Sequence, residues 1–151
     1  MLDHIDRNIL RALQRNGRIT NQELATQAGI SPSACFDRLR KLREQGYVSD
    51  IVALLDPQKL DRALLVFIEV MLDRTTSNVL EDFAAAVRDM PEILECHMVA
   101  GGFDYLLKAR VEDMAAYRTF LGNSLFHMTG IRETRTFAVL EEVKYTTALP
   151  I

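Results

Sequence analysis

The sequence predicts an α+β fold in two parts, a trihelical region over residues 1–55 and a βαββαβ region over residues 63–151. Three observations predict it. Apolar residues recur with a helical period as far as about residue 45, then give way to dense β-type runs interleaved with two helical stretches. The early helical stretches carry capping residues at their entries and glycine near their exits. A polar run at 56–62, Asp-Pro-Gln-Lys-Leu-Asp-Arg, separates the two patterns and reads as a linker.

The first helix, over 3–14, puts Ile5, Ile9, Leu10 and Leu13 on one face, with Asp3 as N-cap and Asn16-Gly17 as its stop. The second opens at Thr20-Asn21-Gln22-Glu23, a hydroxyl followed three residues later by a glutamate, which is capping-box spacing. It buries Leu24, Ala25 and Ala28 and ends at Gly29, suited to a left-handed turn. The third has Ser31 as N-cap and Pro32 at the first helical position, where a missing N–H costs nothing. It runs to about Gln45 and stops at Gly46, with Cys35, Leu39 and Leu42 on its buried face. Residues 47–55 read as a short extended piece broken by Asp56-Pro57. Three short helices and an extended piece make a winged or wing-like helix-turn-helix.

In the second region, 65–72 is a buried strand and 79–87 a helix with Val79, Leu80, Phe83 and Val87 on one stripe, ended near Met90-Pro91. Strands at 93–100 and 105–111 are joined by the turn Gly101-Gly102-Phe103-Asp104. Asp113 caps a helix from Met114 to about Phe126, closed by Thr129-Gly130, and 131–140 is the last strand. That order is the ferredoxin-like split βαβ.

Nearly half the residues are apolar, which favours a packed core over disorder. The longest apolar runs are broken by charge far short of the roughly 20 residues of a membrane span. Asp3, Asp6 and Arg7 interrupt any leader-like stretch, so a cytoplasmic location without membrane contact is expected. Cys35 and Cys96 fit reduced thiols. The net charge of −3 is unevenly spread: residues 1–50 carry +2 and residues 51–151 carry −5. A basic front on an acidic body suits a chain that presents one end to phosphates. Cys96 and His97 are adjacent and point to opposite sides of a strand, so they share no metal. No nucleophile–base pair or phosphate loop stands in the sequence, so no catalysis, metal or cofactor is expected.

A helix-turn-helix reads DNA by placing the leading end of its second helix in the major groove. Here Gly29-Ile30-Ser31 joins the two helices. Small Ser33 and Ala34 lead the third helix and allow close approach, and Asp37, Arg38 and Lys41 follow on the side opposite the apolar stripe. Ser31 and the free N–H groups of the first turn suit a phosphate. Arg18, Arg38, Arg40, Lys41 and Arg43 are candidates for phosphate contact, some of them for guanine, and Asp37 for cytosine N4. The competing reading is a solvated charged face on a small bundle. What weighs against it is the conjunction of capping box, turn glycine, Ser-Pro entry and opposed stripes.

Across essentially its whole length the chain resembles the leucine-responsive/asparagine-responsive (Lrp/AsnC) family of transcriptional regulators, most of all its leucine-responsive members. The resemblance is carried by Asn16-Gly17-Arg18-Ile19-Thr20-Asn21, Leu24-Ala25 and Ser31-Pro32-Ser33-Ala34-Cys35. It continues through Leu64-Leu65-Val66-Phe67-Ile68-Glu69, Glu95-Cys96-His97 and Phe103-Asp104-Tyr105-Leu106-Leu107-Lys108 to Thr134-Arg135-Thr136 and Glu141-Glu142-Val143-Lys144. It implies a regulator of double-stranded DNA whose C-terminal (RAM) domain assembles it into dimers and often octamers and binds an amino acid, such as leucine, between neighbouring subunits. In that family the loop matching 101–104 shapes the effector site, and positions matching Met98, Asp104, Met114, Phe137, Ala138 and Val139 influence the response. Gly102 departs from the polar or acidic residue common there, and Ser49-Asp50-Ile51-Val52 replaces a glycine-tyrosine-threonine pattern.

The chemistry of an amino acid fits this region. Backbone N–H groups at Gly101 and Gly102 suit its carboxylate, Asp104 its ammonium, and Thr134 or Thr136 supply hydroxyls. Met98, Leu106 and Phe137 form an apolar wall. Gly-Gly-Phe-Asp is equally a good hairpin turn, and Met98 and Leu106 are good core residues. Two-fold pairing predicts a pseudo-palindromic operator with half-sites roughly 10 base pairs apart, or multiples of that. A low-specificity, nucleoid-associated organiser of DNA is the second version, and a metabolite-binding enzyme module the rival from another class.

Overall fold

The N-terminal helices begin where the sequence supplies caps. In the computed structural model, which describes every residue except Thr76, α1 is His4–Arg15, α2 Asn21–Ala28 and α3 Pro32–Glu44. Asp3 accepts the Asp6 N–H at 2.8 Å and the Asp6 carboxylate returns the contact at 3.3 Å. Thr20 and Glu23 form the second reciprocal box, with the Thr20 N–H 2.9 Å from Glu23. Gly29 closes α2 at φ +70°, where a Cβ would crowd the following carbonyl. The core behind these helices is Ile9, Leu10, Leu24, Ala25, Cys35 and Leu42. Residues 48–56 follow without regular secondary structure, so the expected extended piece forms no strand within one chain.

The second unit is a four-stranded antiparallel sheet of β1 (Leu64–Leu72), β2 (Ile93–Met98), β3 (Tyr105–Val111) and β4 (Ile131–Ala138), in the order β2-β3-β1-β4. Its helices are α4 (Val79–Arg88) and α5 (Met114–Phe120), the latter running into a wider π-helical turn, Leu121–Leu125. Val66, Ile68 and Val70 of β1, with Leu107 and Ala109 of β3, form one face. That face packs against Phe83, Val87, Tyr117, Phe120 and Leu125. Strand alternation therefore sends Phe67, Glu69, Leu106 and Lys108 to the opposite face.

Two boundaries differ from the sequence expectation. Residues 55–143 make up the second unit, and 144–151 return to the first. The segment 56–62 is no free linker: Gln58–Leu60 is a 3₁₀ turn, the Arg62 N–H donates to the Pro57 carbonyl at 2.8 Å, and Asp61 sits at φ +52°. The tail returns because α1 offers it partners. Gln14 grips the Leu149 backbone twice, at 2.9 and 3.0 Å, Arg11 donates to the Ile151 carbonyl, and Ile151 packs on the helical core. Among the described residues no helix is long and apolar enough to cross a membrane.

Candidate functional site

The first site is the leading end of α3. Cys35, fully buried, and Leu42 anchor the helix from behind. Ser31, Ser33 and Ala34 at its tip are exposed. Ser31 Oγ accepts the Ala34 N–H at 3.3 Å and lies 3.2 Å from Ser33 Oγ. Asn21 Nδ2 donates to the Pro32 carbonyl at 2.8 Å and ties the start of α2 to the first turn of α3. Residues three and four apart share a helix face, so Ser33, Phe36, Asp37 and Arg40 form one solvent-facing stripe. Asp37 and Arg40 pair across it at 3.1 Å, and Arg40 also approaches Glu44 at 3.9 Å. Lys41 and Arg43 are exposed on its flanks, and Arg18 is exposed just before α2, its N–H on Asn16 Oδ1 at 3.0 Å.

Arg38, another of the basic residues expected to face DNA, is paired within the helical unit. Its guanidinium turns inward and donates to Asp3 at 2.7 Å and Asp6 at 2.8 Å. At 100° per residue it falls between the buried stripe and the exposed one, and two carboxylates at the start of α1 meet it there. The Asp6 N–H and then Arg38 hold the Asp3 carboxyl below its ordinary range. Arg38 thus braces α3 on α1.

The second site is a cavity of about 440 Å³ in the C-terminal unit, bounded by residues 71–75 at and beyond the end of β1, the 101–104 turn and Arg132. Gly101, Gly102 and Asp104 all line it, as the sequence expects. Asp104 enters the cavity wall with partners of its own. Its carboxylate is buried and already engaged, one oxygen accepting the Leu72 N–H at 2.8 Å and the other held by Arg74. The Leu72 N–H, then Arg74, hold its pKa below the usual carboxylate range against the opposing effect of burial. It secures the cavity's wall.

The other predicted effector residues lie outside this cavity. Met98 ends β2, 64 % exposed, and Met114 opens α5, also exposed. Leu106 pairs with Glu69 and His97 within the sheet. On β4, Thr134 lies opposite Val70, Thr136 opposite Ile68 with its hydroxyl bonded to Tyr117, and Ala138 opposite Val66. Phe137 falls on the other face beside Phe67, and the Val139 N–H donates to the Leu65 carbonyl at 2.9 Å. One chain therefore does not gather them.

Sequence reasoning missed Arg74, Arg132, Asp73 and Phe103 in the cavity and Phe36 on α3. A signal existed for each group. Asp73 and Arg74 follow a buried strand directly, in the kind of connection where binding residues collect. Phe36 is an aromatic outside the apolar stripe of its helix.

Two family models match the chain: a winged helix-turn-helix DNA-binding domain over residues 2–49 and the Lrp/AsnC ligand binding domain over residues 65–149. The leucine-responsive regulatory protein of Salmonella typhimurium is 52% identical over 150 residues, 99% of this chain and 92% of that protein. Its Escherichia coli counterpart is 51% identical over the same coverage. A transcriptional regulator of Neisseria meningitidis, solved as its L-Met complex, superposes with a TM-score of 0.96 at 41% identity, covering 99% of this chain and 97% of that one. An AsnC family transcriptional regulator from Agrobacterium tumefaciens gives 0.93 at 35% identity with the same coverage.

Proposed function

The chain belongs to the Lrp/AsnC family of DNA-binding transcriptional regulators, and from that premise we propose how it divides the work. The stripe led by Ser33 enters the major groove, and Arg18, Lys41 and Arg43 contact phosphates beside it. Two copies paired about a two-fold axis read a pseudo-palindromic operator in the cytoplasm, and pairs of dimers assemble further, to an octamer. The effector is an amino acid with an apolar side chain, bound at the cavity beside the 101–104 turn.

The observation that carries the effector reading is the make-up of that cavity. Arg74 and Arg132 offer cations for a carboxylate, Asp73 an anion for an ammonium, and Met71 and Phe103 apolar surface for a side chain. Leucine-responsive relatives and the L-Met complex of a neighbour support the same ligand class. Met98, Met114, Phe137, Ala138 and Val139 are then residues a neighbouring copy contributes or through which it responds. Nothing in this reading calls for catalysis; the relatives are regulators, not enzymes.

Thermal unfolding against each of the twenty amino acids tests it. An apolar amino acid, leucine or methionine first, is expected to raise the midpoint, and Arg74→Ala to remove that rise. A flat response to all twenty, or a rise that survives Arg74→Ala together with Arg132→Ala, contradicts it.

A further inference from the structure

Phe36 is the large apolar side chain that α3 leaves in solvent, 58% exposed. The fold does not need it: Cys35, Leu39 and Leu42 already fill the inner side of the helix. Its ring stacks on no other aromatic among the described residues. It stands in the middle of the stripe Ser33, Phe36, Asp37, Arg40, one turn from the capped tip. Directly beside it Asp37 and Arg40 neutralise each other at 3.1 Å, so the surface around the ring carries little net charge. A phenyl ring neither donates nor accepts a strong hydrogen bond. The information it can take from a groove edge is apolar contact, and the major groove offers one apolar group, the thymine C5 methyl.

The geometry points to Phe36 as a specificity-determining residue that packs on a thymine methyl in each half-site. The inference rests on α3 being the helix that enters the groove. It adds a base preference that none of the charged residues on α3 supplies: thymine is required at one fixed position of each half-site for its methyl group, not for its hydrogen-bonding edge.

Replacing thymine by deoxyuridine removes that methyl and leaves base pairing intact, so it isolates the contact. The wild-type chain first selects its operator from random duplexes, and each thymine is then exchanged singly for deoxyuridine. One symmetric position is expected to lose affinity by about fourfold for each methyl removed, the effect of one buried methyl group. Phe36→Ala is expected to bind the thymine and deoxyuridine operators equally, and Phe36→Leu, which keeps an apolar contact, to retain part of the preference. Since the side chain is exposed and alanine favours helix, Phe36→Ala leaves the fold intact. The inference is overturned if no thymine methyl matters, if Phe36→Ala keeps the methyl dependence, or if Phe36→Ala changes only the oligomeric state. Ser33→Ala with Lys41→Ala separates this from the larger reading. If that pair keeps full site-specific binding, α3 is not the reading helix. If it loses that binding while no thymine methyl depends on Phe36, only the role of Phe36 falls.

Discussion

Removing the Asp104 carboxylate is expected to destabilise the C-terminal unit by about 1–3 kcal/mol at neutral pH. Most of this comes from the Leu72 N–H. Leu72 is 2% exposed, and its donor loses an acceptor held at 2.8 Å, a loss of roughly 1–3 kcal/mol. The Arg74 pair adds little, because the Arg74 side chain is 75% exposed and solvent screens it. Asp104→Asn keeps an oxygen for the Leu72 N–H but turns an NH2 donor toward the Arg74 guanidinium, so it loses that pair and still costs less than Asp104→Ala. The pH dependence has a definite sign. The folded carboxyl titrates below its ordinary value, so the native state binds fewer protons than the unfolded one and stability rises with pH. The contribution is complete above the ordinary carboxylate pKa and fades as the pH falls through the lowered folded value. Urea unfolding at fixed protein concentration, at pH 7 and in steps below pH 4, measures both. A cost for Asp104→Ala within about 0.5 kcal/mol of wild type, the range of a surface change, refutes the reasoning.

Four further outcomes are expected. Arg38→Ala lowers the thermal midpoint of the helical unit but leaves the slope of log affinity against log salt unchanged, since Asp3 and Asp6 already engage its guanidinium. Lys41→Ala, by contrast, lowers that slope by about one for each copy on the DNA. Gly130→Ala costs about 2–4 kcal/mol in a denaturant titration, because Gly130 lies at φ +90° and an added Cβ would stand 2.3 Å from the Val79 side chain. Gln14→Ala frees the 144–151 tail and speeds its proteolysis while the four-stranded unit keeps its midpoint.

Periodicity and caps made the element order readable in advance. Asp3, Thr20 and Ser31 mark helix starts in one dimension, and each does so in three. What the sequence left unread shares a cause. Whether Arg38 faces solvent depends on the position of Asp3 and Asp6, more than thirty residues earlier, and whether Asp104 is free depends on the end of β1. The return of 144–151 to α1 rests on backbone contacts with Gln14 and Arg11, which leave no periodic trace. Likewise 101–104 was legible as a turn, but Arg74 and Arg132 reach the same cavity from two other segments, and only the sheet register brings them there.

Sequence-specific binding by this chain requires the exposed stripe of α3 to be the surface that meets base edges. Titrating the selected operator and a scrambled duplex with the Ser33→Ala, Asp37→Ala, Lys41→Ala chain, at one fixed salt concentration, tests this directly. The expected result is that both duplexes bind alike while circular dichroism matches the wild type; a preference for the operator equal to that of the wild type contradicts the account.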